Sequence, residues 1–434
     1  MTDTVETSNP PSFWRRFWIM VALVVSGELI FILPFVLVRI FRPTYLDVFG
    51  LTNAELGTAF SLLGIVAMIA YIPGGIIADR FSARRLMSLA LVITGAGGLY
   101  LRTIPGLIEL RLLYTFWGVS TMLLFWAAMI RATGECGGKN SQGRAYGFLD
   151  GGRGLTAASF ATGSVIIFSI LLPSDAGLAT LEERTSALRQ IITLFTVMVF
   201  FASLLVWVLV PDQISEVSGE SKNRLNLEGI RKVLPMPTLW LFSTIVVCAY
   251  VGMKSVAFFS QYASDVFGYD DVAAAHLGTV SFWVRPFAAI GAGFLGDYFG
   301  NSRMILVSFL VVILGSLVIA LNGLAAGIYW TIVGTVVFTS IGIYALRGIY
   351  FSLFQEAKMP MLYTGSAIGL ISVIGYSPDI FSAYLFGLLI DSSPGALGYQ
   401  YVFGLVTVFS VIGLIATLAF QRVTRKSGKL PSDS

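Results

Sequence analysis

Six ionisable side chains interrupt long apolar stretches of this 434-residue sequence: Glu28, Arg39, Lys254, Arg285, Arg347 and Asp379. A charge placed in hydrocarbon is costly, so each such residue marks a cavity, an ion pair or a site. Four are cations and two are carboxylates. An anionic solute would offset that excess, so Arg39, Lys254, Arg285 and Arg347 are candidate ligands for one. Glu28 and Asp379 are the candidate proton carriers. Glu28 and Arg39 stand eleven residues apart, about three helical turns and about 16 Å along nearly one face. Pro34 between them can kink that helix. Gln261 follows Lys254 by two turns on the same face, and Arg347 follows Tyr344 by one. Asp379 comes directly after Ser377-Pro378, where the proline frees a backbone carbonyl and can break a helix beside a cavity. Arg347 and Lys254 are its candidate partners. Asp150 and Arg153, three residues apart, can pair on one helix face and suit a gate. Trp126 and Tyr344 offer a pair of aromatic clamps. Each residue also has a plainer role: Arg39 can snorkel to an interface, the other charges can form structural ion pairs, and the two rings can simply pack.

Other chemistries lack their residues. His276 is the single histidine, and Cys136 and Cys248 carry no metal-ligand spacing, so no metal site and no catalytic residue is expected. No Gly-x-x-x-x-Gly-Lys-Ser/Thr run is present, so no nucleotide loop and no cofactor are called for, and any transport must draw on a gradient.

The elements that must position these residues follow from composition. The chain is 56% hydrophobic and only 12% charged, with a mean hydropathy of +0.82. Soluble domains carry about 25% charged residues, so lipid is the expected solvent and a soluble enzyme is excluded. The net charge of +4 is no nucleic-acid footprint in such a chain. A membrane-crossing helix needs about 20 mostly apolar residues. Twelve stretches qualify: 17–38, 54–78, 84–103, 107–131, 143–172, 190–210, 237–262, 272–296, 302–322, 326–353, 362–390 and 398–421. With twelve spans, the basic segments (Arg15 and Arg16, Arg80 to Arg85, Lys139 and Arg144, Lys222 to Lys232, Arg422 to Lys429) share one side. The positive-inside rule then predicts that both termini are cytoplasmic. The polar stretch 211–236 divides a bundle over 17–210 from one over 237–421, with tails at 1–16 and 422–434.

The two halves carry a repeat. Asp47-Val48-Phe49-Gly50 recurs 218 residues later as Asp265-Val266-Phe267-Gly268. In the same register Gly75 meets Gly293, Asp79 meets Asp297, Arg85 meets Arg303, and Trp126 meets Tyr344. Two related halves with a site at their interface are the plan of many secondary transporters.

The run Gly75-Ile76-Ile77-Ala78-Asp79-Arg80-Phe81-Ser82-Ala83-Arg84-Arg85 resembles the major facilitator superfamily signature between helices two and three. Gly293 through Gly300 resembles its weaker copy between helices eight and nine. Ser82 and Tyr298 depart from the pattern. The resemblance implies an all-α integral membrane fold of twelve helices in two pseudo-symmetric bundles, and a monomer. It also makes Gly75, Asp79, Arg80, Arg84, Arg85, Gly293, Asp297 and Arg303 gating residues that tie the halves together at the cytoplasmic side. Phe125 to Ala128, Gly143 to Gly154 and Tyr376-Ser377-Pro378-Asp379 resemble the bacterial YihN-type transporters, which implies the inner membrane. Leu37-Val38-Arg39 is distantly similar to the organophosphate/phosphate antiporters, whose paired arginines hold phosphate. Lys254 stands here where that pair has its second arginine, and it is a point charge rather than a bidentate fork.

The expected function is secondary active transport of a small solute by alternating access, coupled to protons or to exchange. The charge excess points to an organic anion, either a carboxylate or a phosphorylated metabolite. The alternative is a proton-coupled exporter of lipophilic cations, using Glu28 and Asp379 with the aromatics.

Overall fold

The computed structural model describes residues 13–173, 175–212, 231–324, 327–357, 364–393 and 395–427. Most of the 211–236 linker and of both tails lies outside the described residues. The described chain is helical, with no strand among those residues. Its long helices are α1 (Phe13–Ile40), α2 (Asn53–Arg80), α3 (Ala83–Leu101), α4 (Leu107–Gly137), α5 (Ala145–Leu171) and α6 (Leu181–Leu209). There follow α7 (Pro237–Phe267), α8 (Asp271–Phe299), α9 (Asn301–Ala320), α10 (Tyr329–Ser352), α11 (Ala367–Ser392) and α12 (Ala396–Arg425). Among the described residues, ten helices are long and apolar enough to cross a membrane. The helices α3 and α8 have 19 and 29 residues and are not among those ten.

Local chemistry sets the ends of these helices. Thr52 with Glu55, and Thr180 with Glu183, form reciprocal capping boxes at the starts of α2 and α6. Asp270 accepts from the backbone of Val272 and Ala273 to start α8. Both copies of the sequence repeat end a helix the same way: Gly50 and Gly268 adopt φ of +61° and +66°. Glycine enters that left-handed region without steric cost. Helical residues run without a break from Ala127 to Leu171, yet Tyr146 Oη donates to the carbonyl of Ile130 at 3.2 Å. Sixteen residues of straight helix would hold them about 24 Å apart, so the chain reverses between α4 and α5.

The helices also break near the charged residues. Around Pro34, α1 widens to a π-helical turn over Ile32–Val36, because proline has no N–H to give the regular ladder. A second π-helical stretch, Val119–Trp126, lies in α4. In α11 the helix stops at Gly375 and restarts at Pro378, which places Asp379 in a new first turn.

Buried apolar side chains form two clusters. One runs from Ile19 to Val210 with Ala275 and Phe282 added, and the other from Val233 to Phe420. The clusters meet where α2 packs on α11 and α5 packs on α8. Glycines let α2 and α11 touch: a Cβ on Gly57 would fall 2.6 Å from Tyr384 Cα, and one on Gly387 would fall 2.5 Å from the Asn53 carbonyl.

The end of the molecule that holds Gly50 and Gly268 is tied shut. Asp391 on α11 accepts from the backbone N–H of Asn53 and Ala54, at 3.2 and 2.7 Å, and so caps α2 from the other cluster. Thr44 donates to Asp271 at 2.8 Å, and Arg184 pairs with the same carboxylate at 2.9 Å. At the opposite end, a Cβ on Gly75 or Gly293 would meet no described atom within 4 Å.

Gly387→Ala is therefore expected to destabilise the protein by about 1–3 kcal/mol through overpacking. Gly293→Ala should be neutral or slightly stabilising, because alanine favours helix by about 1 kcal/mol. Thermal unfolding in detergent checks both.

Candidate functional site: a charged cavity between the two clusters

A cavity of about 230 Å³ lies where the breaks in α1, α4 and α11 meet. Six cations line it, Arg39, Arg42, Arg153, Lys254, Arg285 and Arg347, against two carboxylates, Glu28 and Asp379. Glu28 sits between two guanidiniums, 3.3 Å from Arg153 Nε and 3.5 Å from Arg285 Nη1. Arg285 reaches on to Asp150 at 3.6 Å. That chain joins α1, α5 and α8; Glu28, Arg153 and Arg285 are almost wholly removed from solvent, whereas Asp150 is exposed. Asp379 forms the second cluster. It pairs with Lys254 and accepts from Tyr250 Oη at 3.1 Å. The Lys254 ammonium also lies 4.9 Å from the Tyr250 ring and 5.6 Å from the Phe35 ring.

The other three cations have no carboxylate within ion-pair distance among the described residues. Arg39 donates to Ser281 Oγ at 2.8 Å and to Tyr344 Oη, and it stacks 4.0 Å over Phe282. Arg42 donates to Gln261 at 2.8 Å and to Asn53 at 3.0 Å, and it stacks 4.0 Å over Phe258. Neutral acceptors and ring faces hold these groups in place without cancelling their charge. Arg347 makes no ion pair or side-chain hydrogen bond among the described residues. Its electrostatic neighbours are the phenols of Tyr350, Tyr250 and Tyr376 and the carboxylate of Asp150.

Glu28, Arg39, Lys254, Arg285, Arg347, Asp379 and Trp126 from the sequence reading share this cavity. Tyr344 does not face it; fully buried, it stands behind Arg39 and fixes that guanidinium. Trp126 lines the cavity beside Phe31, so the two repeat-related aromatics do not clamp one space. Gln261 belongs to the tied end through Arg42, because the 3-10 turn Val256–Phe258 rotates it away from the face of Lys254. Asp150 and Arg153 do not pair with each other; each turns to a closer opposite charge, Arg285 and Glu28.

The signature residues do not bind the two clusters together in this conformation. Asp79, Arg80, Asp297 and Arg303 are exposed and make no ion pair among the described residues. Arg84 stacks 4.6 Å from the Trp207 ring. Arg85 donates to Asp212 at 2.9 Å within its own half. Hydrogen bonds from Ser82 and Arg85 hold the exposed Asp212 carboxyl below its usual range. The physical reason is that the ties lie at the other end of the molecule.

The sequence reading missed Arg42, Tyr71, Tyr250, Phe31, Phe35 and Phe60. Arg42 falls beyond residue 38, where the first apolar stretch ends, so its sequence position gives no sign of burial. The helix-stop glycine at Gly50 was the available signal that helical chain runs on past it.

A charged cavity between two helical clusters, closed at one end, within helices able to cross a membrane, defines a membrane transporter rather than an enzyme. The comparisons agree. The family model described as Major Facilitator Superfamily matches residues 17–383, and the chain belongs to that superfamily. The chain is 28% identical over 422 residues to the inner membrane protein YqcE of Escherichia coli K12, covering 94% of this chain and 96% of that one. It is 24% identical over 433 residues to the inner membrane protein YihN of the same organism, covering 96% and 98%. Its fold matches the crystal structure of a bacterial homologue of the human lysosomal transporter Spinster, in an inward-facing and unoccupied conformation. That match has a TM-score of 0.76 and 18% identity, over 97% of this chain and all of that one.

Removing Glu28 leaves buried Arg153 with no carboxylate within ion-pair distance among the described residues, and Arg285 with only the exposed Asp150. Glu28→Ala should cost about 3 kcal/mol. In a double-mutant cycle with Arg285→Ala, the two losses should be non-additive by about 1–3 kcal/mol in chemical or thermal unfolding.

Proposed function

We propose that this transporter carries a small organic anion by alternating access across the bacterial inner membrane. The observation that supports the proposal is the set of three cavity guanidiniums, Arg39, Arg42 and Arg347, with no carboxylate within ion-pair distance among the described residues. An anion entering the cavity supplies the missing countercharge, and guanidiniums suit carboxylate or phosphate oxygens. A lipophilic cation would need a carboxylate free of cations, whereas Glu28 pairs with Arg153 and Arg285, and Asp379 pairs with Lys254.

In this proposal α3 and α8 also span the bilayer, giving twelve spans in two six-helix bundles over 17–210 and 237–421, joined by the 211–236 linker. Both termini are cytoplasmic, by the basic segments they share with Arg80 and Arg84, and the protein works as a monomer. The tied end then faces outward and the cavity opens inward. Transport requires the ties at Asp391 and Asp271 to break while the end bearing Gly75 and Gly293 closes. The ion pair of Lys254 with Asp379 is the coupling element: an anion that draws Lys254 away leaves Asp379 able to take a proton.

A thermal-shift screen of the purified protein tests the substrate class. The panel holds carboxylates, organophosphates, sugar acids and lipophilic cations. At 100 times its dissociation constant, one anion should add about 2.7 kcal/mol to wild type. Arg347→Ala should lose that shift. Stabilisation by cations alone, untouched by Arg347→Ala, would overturn the proposal.

A further inference from the structure

The neutral part of the cavity wall says what kind of anion fits. Among the described residues that line it there is no Ser, Thr, Asn, Gln or His. Its uncharged polar atoms are the hydroxyls of Tyr71, Tyr250 and Tyr376 and the indole N–H of Trp126. Two of those hydroxyls are engaged: Tyr250 donates to Asp379, and Tyr376 bonds Tyr350 Oη at 3.2 Å. A polyhydroxylated solute, such as a sugar acid or a sugar phosphate, would find few neutral partners for its hydroxyls and would have to compete for charged groups most of which already pair or hydrogen-bond with protein. Unmade buried hydrogen bonds are strongly selective against a ligand.

One wall is instead a sheet of rings. Phe31 lies 6.0 Å from Phe35 and 6.2 Å from Trp126, and Phe35 lies 5.7 Å from Phe60. Leu63 and Met122 extend this wall. The cations Lys254 and Arg347 enter from α7 and α10. Lys254 Nζ is only 5.6 Å from the Phe35 ring, so the charged and apolar subsites adjoin. The volume of about 230 Å³ falls below the roughly 300–1,000 Å³ of pockets for drug-sized ligands.

We infer that the transported anion is amphiphilic: one acidic group on a compact, hydroxyl-poor aromatic or alicyclic body. The head sits at Arg347 and Lys254, and the body lies on Phe31, Phe35, Phe60 and Trp126. Phe35 and Phe60 are thereby specificity-determining residues, while Arg347 is required for any anion. The inference rests on the anion reading above and narrows it away from phosphorylated sugars.

The test is equilibrium binding to the purified full chain, with benzoate, cyclohexanecarboxylate, acetate and gluconate as probes. Benzoate and cyclohexanecarboxylate should bind at least about tenfold tighter than acetate, the usual scale for filling an apolar subsite. Gluconate should bind no better than acetate. Phe35→Ala should erase the preference, so that benzoate binds no tighter than acetate, and Phe60→Leu, a milder change for a variant that must fold, should reduce it. Arg347→Ala should weaken all four probes. If gluconate or acetate binds as tightly as benzoate, the amphiphile inference fails while the anion reading stands. A preference that survives both ring variants overturns the assignment of the ring wall. If no probe and no other anion binds, the anion reading itself has failed.

Discussion

A charged side chain inside a membrane protein must meet water, an opposite charge or fixed polar partners, and that requirement organises this molecule. Glu28 shows it most directly. One carboxylate from α1 holds Arg153 of α5 and Arg285 of α8, so a single buried ion-pair chain crosses from one hydrophobic cluster to the other. Around it the helices bend where regular hydrogen bonding fails, at Pro34, over Val119–Trp126 and before Pro378. Space opens at those bends, and the remaining charges face it.

The charges are unequal in what they leave available. Lys254 and the arginines beside Glu28 are neutralised by carboxylates. Arg39 and Arg42 are steered by Tyr344, Ser281, Gln261 and Asn53, which orient a guanidinium but do not discharge it. Positive potential therefore persists in the cavity, next to a wall that offers rings and few hydroxyls. Under the anion proposal that charge would select the sign of a guest, and the scarcity of neutral hydrogen-bonding groups among the described lining residues would restrict its body.

Closure at one end uses a different kind of contact. The two clusters meet through glycine at Gly57 and Gly387, and through Asp391 bonded to backbone N–H groups at the start of α2. Such contacts are short-ranged and depend on one register. The signature residues Asp79, Arg80, Asp297 and Arg303 lie at the far end, away from these ties, and make no ion pair among the described residues.

Composition and hydropathy alone determined that the chain is a helical membrane protein, and the signature around Gly75 to Arg85 marked its superfamily. Cost of burial singled out Glu28, Arg39, Lys254, Arg285, Arg347 and Asp379, and all six line one cavity. That much was legible because a charge in an apolar stretch is conspicuous in one dimension. Partnership was not legible. Asp150 and Arg153 sit one turn apart yet turn to different helices, Tyr344 supports Arg39 instead of facing Trp126, and Gln261 is rotated toward Arg42. Phe31, Phe35 and Phe60 looked like any other phenylalanines in a span. Only the tertiary structure decided which rings and charges share a space. That choice depends on the bends and on the approach of distant helices, which local sequence spacing does not encode.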